Sequence, residues 1–316
     1  MYIVGEKKAT REAYGAALAE FGQDNRIVVL DADLSKSTKT EVFKKQYPDR
    51  FINMGIAEGN MMATAAGLAT CGKVVFASSF AMFAAGRAFE QVRNSIGYPK
   101  LNVKIGATHA GISVGEDGAT HQCLEDIGIM RTIPGMTIIN PADAAEARLA
   151  VKAAIDYEGP VYLRFGRLAV PTIFGEDYKF EWGKGVQLAD GKDVTIIATG
   201  LMVPYAMEAK SALAECGIDA RVINIHTIKP IDEEIIIKAA KETGAIVTAE
   251  EHNIIGGLGS AVAEVLVENC PVPMQRVGTN DVFGRSGVPA KLLEMYGLDT
   301  KTIVEKAKKA IAAKKA

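Results

Sequence analysis

The chain has 316 residues, 48% of them hydrophobic and 23% charged, and its 36 Lys and Arg against 38 Asp and Glu leave a formal net charge of −2. That composition excludes intrinsic disorder, and the near balance of charge removes any global field that would gather nucleic acid or an anionic membrane. The length is enough for two domains, each with a core of its own.

The first residues, MYIVGEKKATREA, have no uninterrupted apolar stretch behind their basic residues. No run elsewhere reaches the roughly 18–20 apolar residues of a membrane span, so a cytoplasmic protein is expected. From Thr10 to about Arg164, helical periodicity alternates with apolar, β-rich runs: TREAYGAALAEFG, then RIVVLDA, FINMG, GNMMATAAGLAT, KVVFASS, NVKIGAT, MTIINP, DAAEARLAVKAAI and PVYLRF. Alternation of this kind predicts an α/β domain on a mostly parallel sheet. Around 171–192 the pattern lapses into a stretch rich in glycine, aromatics and charge, read as a linker with a small hairpin. Alternation then resumes through VTIIATG, DARVINI, AIVTAEEH and PMQRVG to a helical tail whose lysines form a solvated face. The expected organisation is a first domain over 1–185, with its linker from about 171, and a smaller α/β domain over 186–316. Cys71, Cys123, Cys216 and Cys270 are too far apart for a CxxC pair, which leaves four reduced thiols.

Sheets of this type place ligands at the carboxyl ends of their strands. The loop after the first long strand, DADLSKS, offers Asp33 and Ser37, which alone would read as a helix start. In GIAEGNMMATAAGLA, Glu58 opens a helix dense in small residues. It either complements the helix dipole or shares a proton with a ligand nitrogen. Phe80 and Phe83, three apart past the next strand, are either core or a flat wall for an aromatic heterocycle. The glycine-rich segment KIGATHAGISVGEDGATHQ carries His109, Asp117 and His121. The two histidines are twelve positions apart, which fits no helical or strand metal pair, whereas a substrate with several hydroxyls would use the same groups, with His121 as acid–base catalyst. Arg167, in RFGR at the end of the last strand, suits a phosphate or carboxylate. Gly256, Gly257 and Gly259 do not complete a GxGxxG turn, and no Walker lysine follows them.

Taken in order, DADLSKS, GIAEGNMMATAAGLA, SSFAMF, ATHAGISVGEDGATHQ, INPADAAEARLA and GPVYLRFGR resemble the second half of transketolase, as do GIDARVINIHTIKPID and EEHNIIGGLGSAVAE further on. The resemblance implies a pyrimidine-binding domain followed by a transketolase C-terminal domain, and thiamine diphosphate as cofactor. The diphosphate and a divalent metal such as Mg2+ are held in that family by a GDG…N motif, which this chain lacks. The expectation is therefore one half of a split enzyme, a C-terminal-type subunit that joins an N-terminal subunit in an α2β2 assembly.

The same resemblance assigns roles. Glu58 matches the glutamate that protonates the aminopyrimidine, and Phe80 and Phe83 match rings of its pocket, with Gly86 where a third aromatic is expected. Asp33 and Leu34 would lie by the thiazolium. Asp117 would read a donor hydroxyl, and His121 would lie near the donor carbonyl. His109, Arg167, Ser37 and Arg11 would complete the sugar-phosphate site. The implied reaction is transfer of a two-carbon ketol unit from a ketose phosphate to an aldose phosphate, as in the pentose phosphate pathway. The corresponding half of 1-deoxyxylulose-5-phosphate synthase, the beta subunit of a 2-oxo acid dehydrogenase, and a regulatory subunit that has kept the fold are the alternatives.

Overall fold

A computed structural model describes residues 2–314. Its strands are β1 (Lys7–Ala9), β2 (Ile27–Asp31), β3 (Phe51–Asn53), β4 (Val74–Phe80), β5 (Val103–Thr108), β6 (Thr137–Ile139), β7 (Val161–Arg164), β8 (Ala169–Pro171), β9 (Val186–Ala189), β10 (Val194–Ala198), β11 (Ala220–Asn224), β12 (Thr227–Lys229), β13 (Ile246–Asn253) and β14 (Met274–Thr279). Seven of them form one sheet in the order β12-β6-β7-β5-β4-β2-β3, parallel except where β12 runs against β6. Five form a second sheet, β14-β13-β10-β11-β9, parallel except at β9.

The parallel strands are covered on both faces, which is why they read as apolar runs without alternation. Every residue of β2, β4, β5 and β10 is buried. The helix Glu58–Thr70 buries Met61, Met62, Ala65 and Ala66 against this sheet, and its small residues bring the backbone close to it. One apolar cluster continues from Ile127, Met130 and Ile133 of the first half into Ile225, Ile228 and Leu258 of the second.

The structure changes two expectations. No hairpin forms in the 171–192 stretch: β8 lies antiparallel to β1 instead, and Trp182 stacks on Tyr157 with ring centroids 4.4 Å apart. The second half also lends β12 to the first sheet, where Thr227 pairs with Ile139. Strands of three residues are too short to show a period, so neither β8 nor β12 was legible in the sequence.

Candidate functional site

The carboxyl ends of β2, β3, β4, β5 and β7 converge on one region. Asp31, the last residue of β2, is fully buried. Its Oδ1 accepts the Leu34 N–H at 2.6 Å, and its Oδ2 accepts the Thr38 and Thr40 hydroxyls at 2.7 and 2.8 Å. Burial pushes this carboxyl above its ordinary pKa even though three donors act to lower it. The loop it organises holds Asp33 in the left-handed region at φ +63°, with Leu34 half-buried beside it. The Asn53 amide at the end of β3 donates to Asp33 Oδ1 at 2.8 Å and so ties two adjacent strand ends together.

Glu58 is the first residue of its helix and is 1% exposed. Arg87 Nη1 donates to its Oε2 at 2.9 Å. Phe80 is the last residue of β4 and Phe83 follows in the wide π-type turn Met82–Arg87, which places the two rings nearly parallel, at 14° and 5.9 Å between centroids. Phe80 thus belongs to the strand itself. At Gly86 a Cβ would come within 2.5 Å of Met82 Cε, so the Met82 methyl occupies the space beside this glycine.

His109 follows β5 with φ +57° and lies face to face with Phe80, centroids 3.9 Å apart. One ring nitrogen, Nδ1, is 2.9 Å from Thr108 Oγ1. Burial, followed by the charges of Arg11 and Arg167, brings its pKa down to about 3, so the imidazole is neutral. His121 meets Phe83 edge-on at 5.3 Å and Phe80 at 6.2 Å, which makes one aromatic cluster of two phenylalanines and two histidines. Around it, Arg11 Nη1 donates to the Ser37 carbonyl at 2.6 Å and Arg11 Nε to the Arg167 carbonyl at 3.4 Å. Arg167 Nη1 donates to the Val114 carbonyl at 2.6 Å and pairs with Glu116 Oε2 at 2.9 Å.

The GEDGATHQ segment is not an open loop. Its first three residues complete the short turn Ile112–Asp117, and Gly115, Gly118 and the preceding Gly111 all have positive φ. These glycines leave room for the second half of the chain. A Cβ at Gly111 would run into the Glu251 carboxylate, and one at Gly115 would lie 2.8 Å from Pro289 Cγ. Ser113 N–H donates to Glu251 Oε1 at 2.7 Å, and Ser286 Oγ donates to the Glu116 carbonyl at 2.6 Å. The second half of the chain therefore grips this segment and fixes how it presents His121. Asp117 is exposed at the end of the turn and is not part of the aromatic cluster. Beside it runs a groove of about 670 Å³ whose lining includes Met82, Thr120, Gln122, Asn253 and Phe283.

Sequence reasoning missed Arg87, Asp31, Asn53, Glu116 and Met82. Arg87 stands four residues after Phe83, a spacing that brings side chains together along one helical face. The other four gave no local signal. Among the described residues, no group of three or more His, Cys, Asp or Glu side chains is placed to hold a metal ion, and no helix is long and apolar enough to cross a membrane.

The transketolase pyrimidine-binding domain model matches residues 6–172, and the transketolase C-terminal domain model matches 183–303. The chain belongs to the transketolase family. Among its relatives in that family, a Methanocaldococcus jannaschii protein named as a transketolase C-terminal section is 54% identical over 308 residues, which is 96% of each chain. A 6-deoxy-6-sulfo-D-fructose transketolase subunit of a Clostridium species is 47% identical, with 96% of this chain and 94% of that one covered. Among solved structures, one described as a split gene transketolase, inactive beta4 tetramer, superposes with a TM-score of 0.91 at 58% identity, covering 97% of this chain and 99% of that one. The match to the pyrimidine-binding domain thus takes in six of the seven strands of the first sheet and the segments that carry Glu58, Phe80 and Phe83, whereas β12 falls within the match to the C-terminal domain.

Proposed function

We propose that this chain is the C-terminal-type subunit of a split transketolase. In this reading it moves a two-carbon ketol unit from a ketose phosphate to an aldose phosphate, as a cytoplasmic enzyme completed by an N-terminal-type partner in an α2β2 assembly. The observation that carries the reading is the placement of Glu58. A carboxyl buried to 1% opens a helix, with a parallel pair of phenylalanines on the neighbouring segment. This combination fits a flat, protonatable heterocycle such as the aminopyrimidine of thiamine diphosphate, which needs an apolar wall for its ring and an acid for its ring nitrogen.

When bound, that cofactor supplies the nucleophilic carbon and the electron sink for carbon–carbon cleavage. Glu58 would hold the proton at the pyrimidine ring nitrogen, Phe80 and Phe83 would exclude water from the ring, and Asp33 and Leu34 would border the second ring. His109, neutral and stacked on Phe80, would offer a hydrogen bond without charge. His121, held by the Ile112–Asp117 turn, would carry a proton to or from the donor sugar. Asp117 would read a hydroxyl, and Arg11, Arg167 and Ser37 would receive the phosphate. The metal and the diphosphate are assigned to the partner. Support comes from the near end-to-end match with proteins encoded as separate transketolase sections.

The test is an assay of the full chain with and without an N-terminal-type partner, using xylulose 5-phosphate and ribose 5-phosphate, with pyruvate as the competing donor. Activity only in the complex, and only with the ketose phosphate, is the expected result. An ordinary rate from the chain alone overturns the split reading, and activity confined to pyruvate overturns the donor class. A Glu58→Ala complex that stays fully active would make the subunit a non-catalytic one.

A further inference from the structure

Among the described residues, Arg87 is the side chain that bonds Glu58, and the pair is unequal: the Arg87 side chain is 52% exposed and that of Glu58 1%. The same guanidinium lies over Phe83, its central carbon 4.6 Å from the ring centroid. A flat, cationic, hydrogen-bonding group therefore rests at once on the buried carboxylate and on the aromatic wall. These are the two contacts that the proposed function gives to a protonated aminopyrimidine. Two such groups cannot hold Glu58 Oε2 and the same stretch of Phe83 together.

We propose that Arg87 is an internal stand-in for the cofactor's aminopyrimidine, which has to displace it in order to bind. The chemistry favours such a placeholder. A buried carboxylate without a partner is costly, so a chain that folds before meeting its cofactor needs a counter-charge at this point. Arginine suits the task because its planar guanidinium stacks on a ring while donating in its own plane. Its side chain is half exposed, so it reaches water without crossing the core, at the cost of the ion pair with Glu58. The consequence is a reduced cofactor affinity, since only the displaced fraction of the protein is competent to bind.

The inference rests on thiamine diphosphate being the ligand. It is tested by isothermal titration of the reconstituted two-subunit complex with thiamine diphosphate and Mg2+, comparing wild type with Arg87→Ala, Arg87→Gln and Arg87→Lys. The expected result is binding about tenfold tighter in the Ala and Gln variants, with Lys between them and wild type. A crystal structure of the loaded wild-type complex should show Arg87 turned away from Glu58. If Arg87 instead builds the pocket, the Ala and Gln variants bind the cofactor equally or more weakly, and the inference fails while the proposed function stands. Should the Ala and Gln variants not fold, Arg87→Lys and the loaded wild-type structure decide. A wild-type complex that takes up no thiamine diphosphate overturns the proposed function, and this inference with it.

Discussion

The His109 imidazole lies flat on the Phe80 ring, with 3.9 Å between centroids and 23° between planes. One residue ends its strand and the other follows the end of the neighbouring strand, so the contact is fixed by the register in which Phe80 pairs with Thr108. Such a position withholds water from the imidazole, and the charges of Arg11 and Arg167 add to the effect, leaving the pKa at about 3.

A pH dependence of stability follows. His109 titrates near 3 when folded against an ordinary 6.5, and burial holds His226 at about 4. Above pH 6.5 both are neutral in folded and unfolded chains, and their contribution is fully present. Below it the unfolded chain binds protons that the folded chain refuses, so stability falls by about 1.4 kcal/mol per pH unit for each histidine. Glu146 acts oppositely: burial raises it to about 7 from 4.5, so its contribution falls as pH rises through that window. Urea unfolding of wild type and His109→Gln at pH 7.5 and 5.5 isolates the histidine. The cost of the substitution should be smaller at pH 5.5 by about 1 kcal/mol, and equal costs at both values would contradict the neutral imidazole.

Asp31 supports the loop that carries Asp33 and Leu34 by accepting three hydrogen bonds. Asp31→Ala strands the Leu34 N–H and takes from the buried Thr38 and Thr40 hydroxyls their shared acceptor, leaving them to each other at 3.1 Å, and each lost bond costs about 1 kcal/mol or more. A loss of about 2–4 kcal/mol in urea unfolding is expected, together with weaker binding at the loop. Asp31→Ala melting within 0.5 kcal/mol of wild type, a change on the order of an ordinary surface substitution, would show that the loop keeps its shape without this carboxylate.

Arg164 and Asp126 form a buried pair, with Nε to Oδ2 at 2.8 Å and Nη2 to Oδ1 at 3.2 Å. Tyr162 donates to the same carboxylate, and Arg164 Nη2 reaches the Glu251 carbonyl in β13. Breaking the pair from one side leaves a buried charge alone. Asp126→Asn or Arg164→Met is therefore expected to cost about 3–5 kcal/mol, while the double variant should cost less than the sum. Thermal melts of the three variants read this directly, and additive losses would mean that the two side chains act independently.

Arg167 bridges the Val114 carbonyl and Glu116 on the rim of the site. As a phosphate ligand it would contribute a charged hydrogen bond of about 2 kcal/mol. Arg167→Ala should then raise KM for a phosphorylated donor about thirtyfold in the reconstituted complex, with little change in kcat and none in KM for an unphosphorylated ketose. Equal effects on both donors would assign Arg167 to holding the 112–117 turn instead.

Much of the molecule was legible in the sequence. The buried parallel strands appear as apolar runs and the helices as periodic stretches, because both signals are local and repeat along the chain. Glu58, Phe80, Phe83, His109 and His121 stood out in the sequence too, as polar or aromatic residues in the segments that follow strands, and the structure gathers the two phenylalanines and two histidines into one cluster. What the sequence could not determine was which of these groups touch, and what the glycines beside them are for. Gly111 and Glu251 are 140 positions apart, yet the carboxylate of one half fills the space that the other half leaves by lacking a side chain. Likewise the stacking of His109 on Phe80, the grip of Arg87 on Glu58 and the three-residue β12 joining the first sheet depend on strand register and on the packing of the two halves. Such contacts leave no period along the chain, and only the tertiary structure decides them.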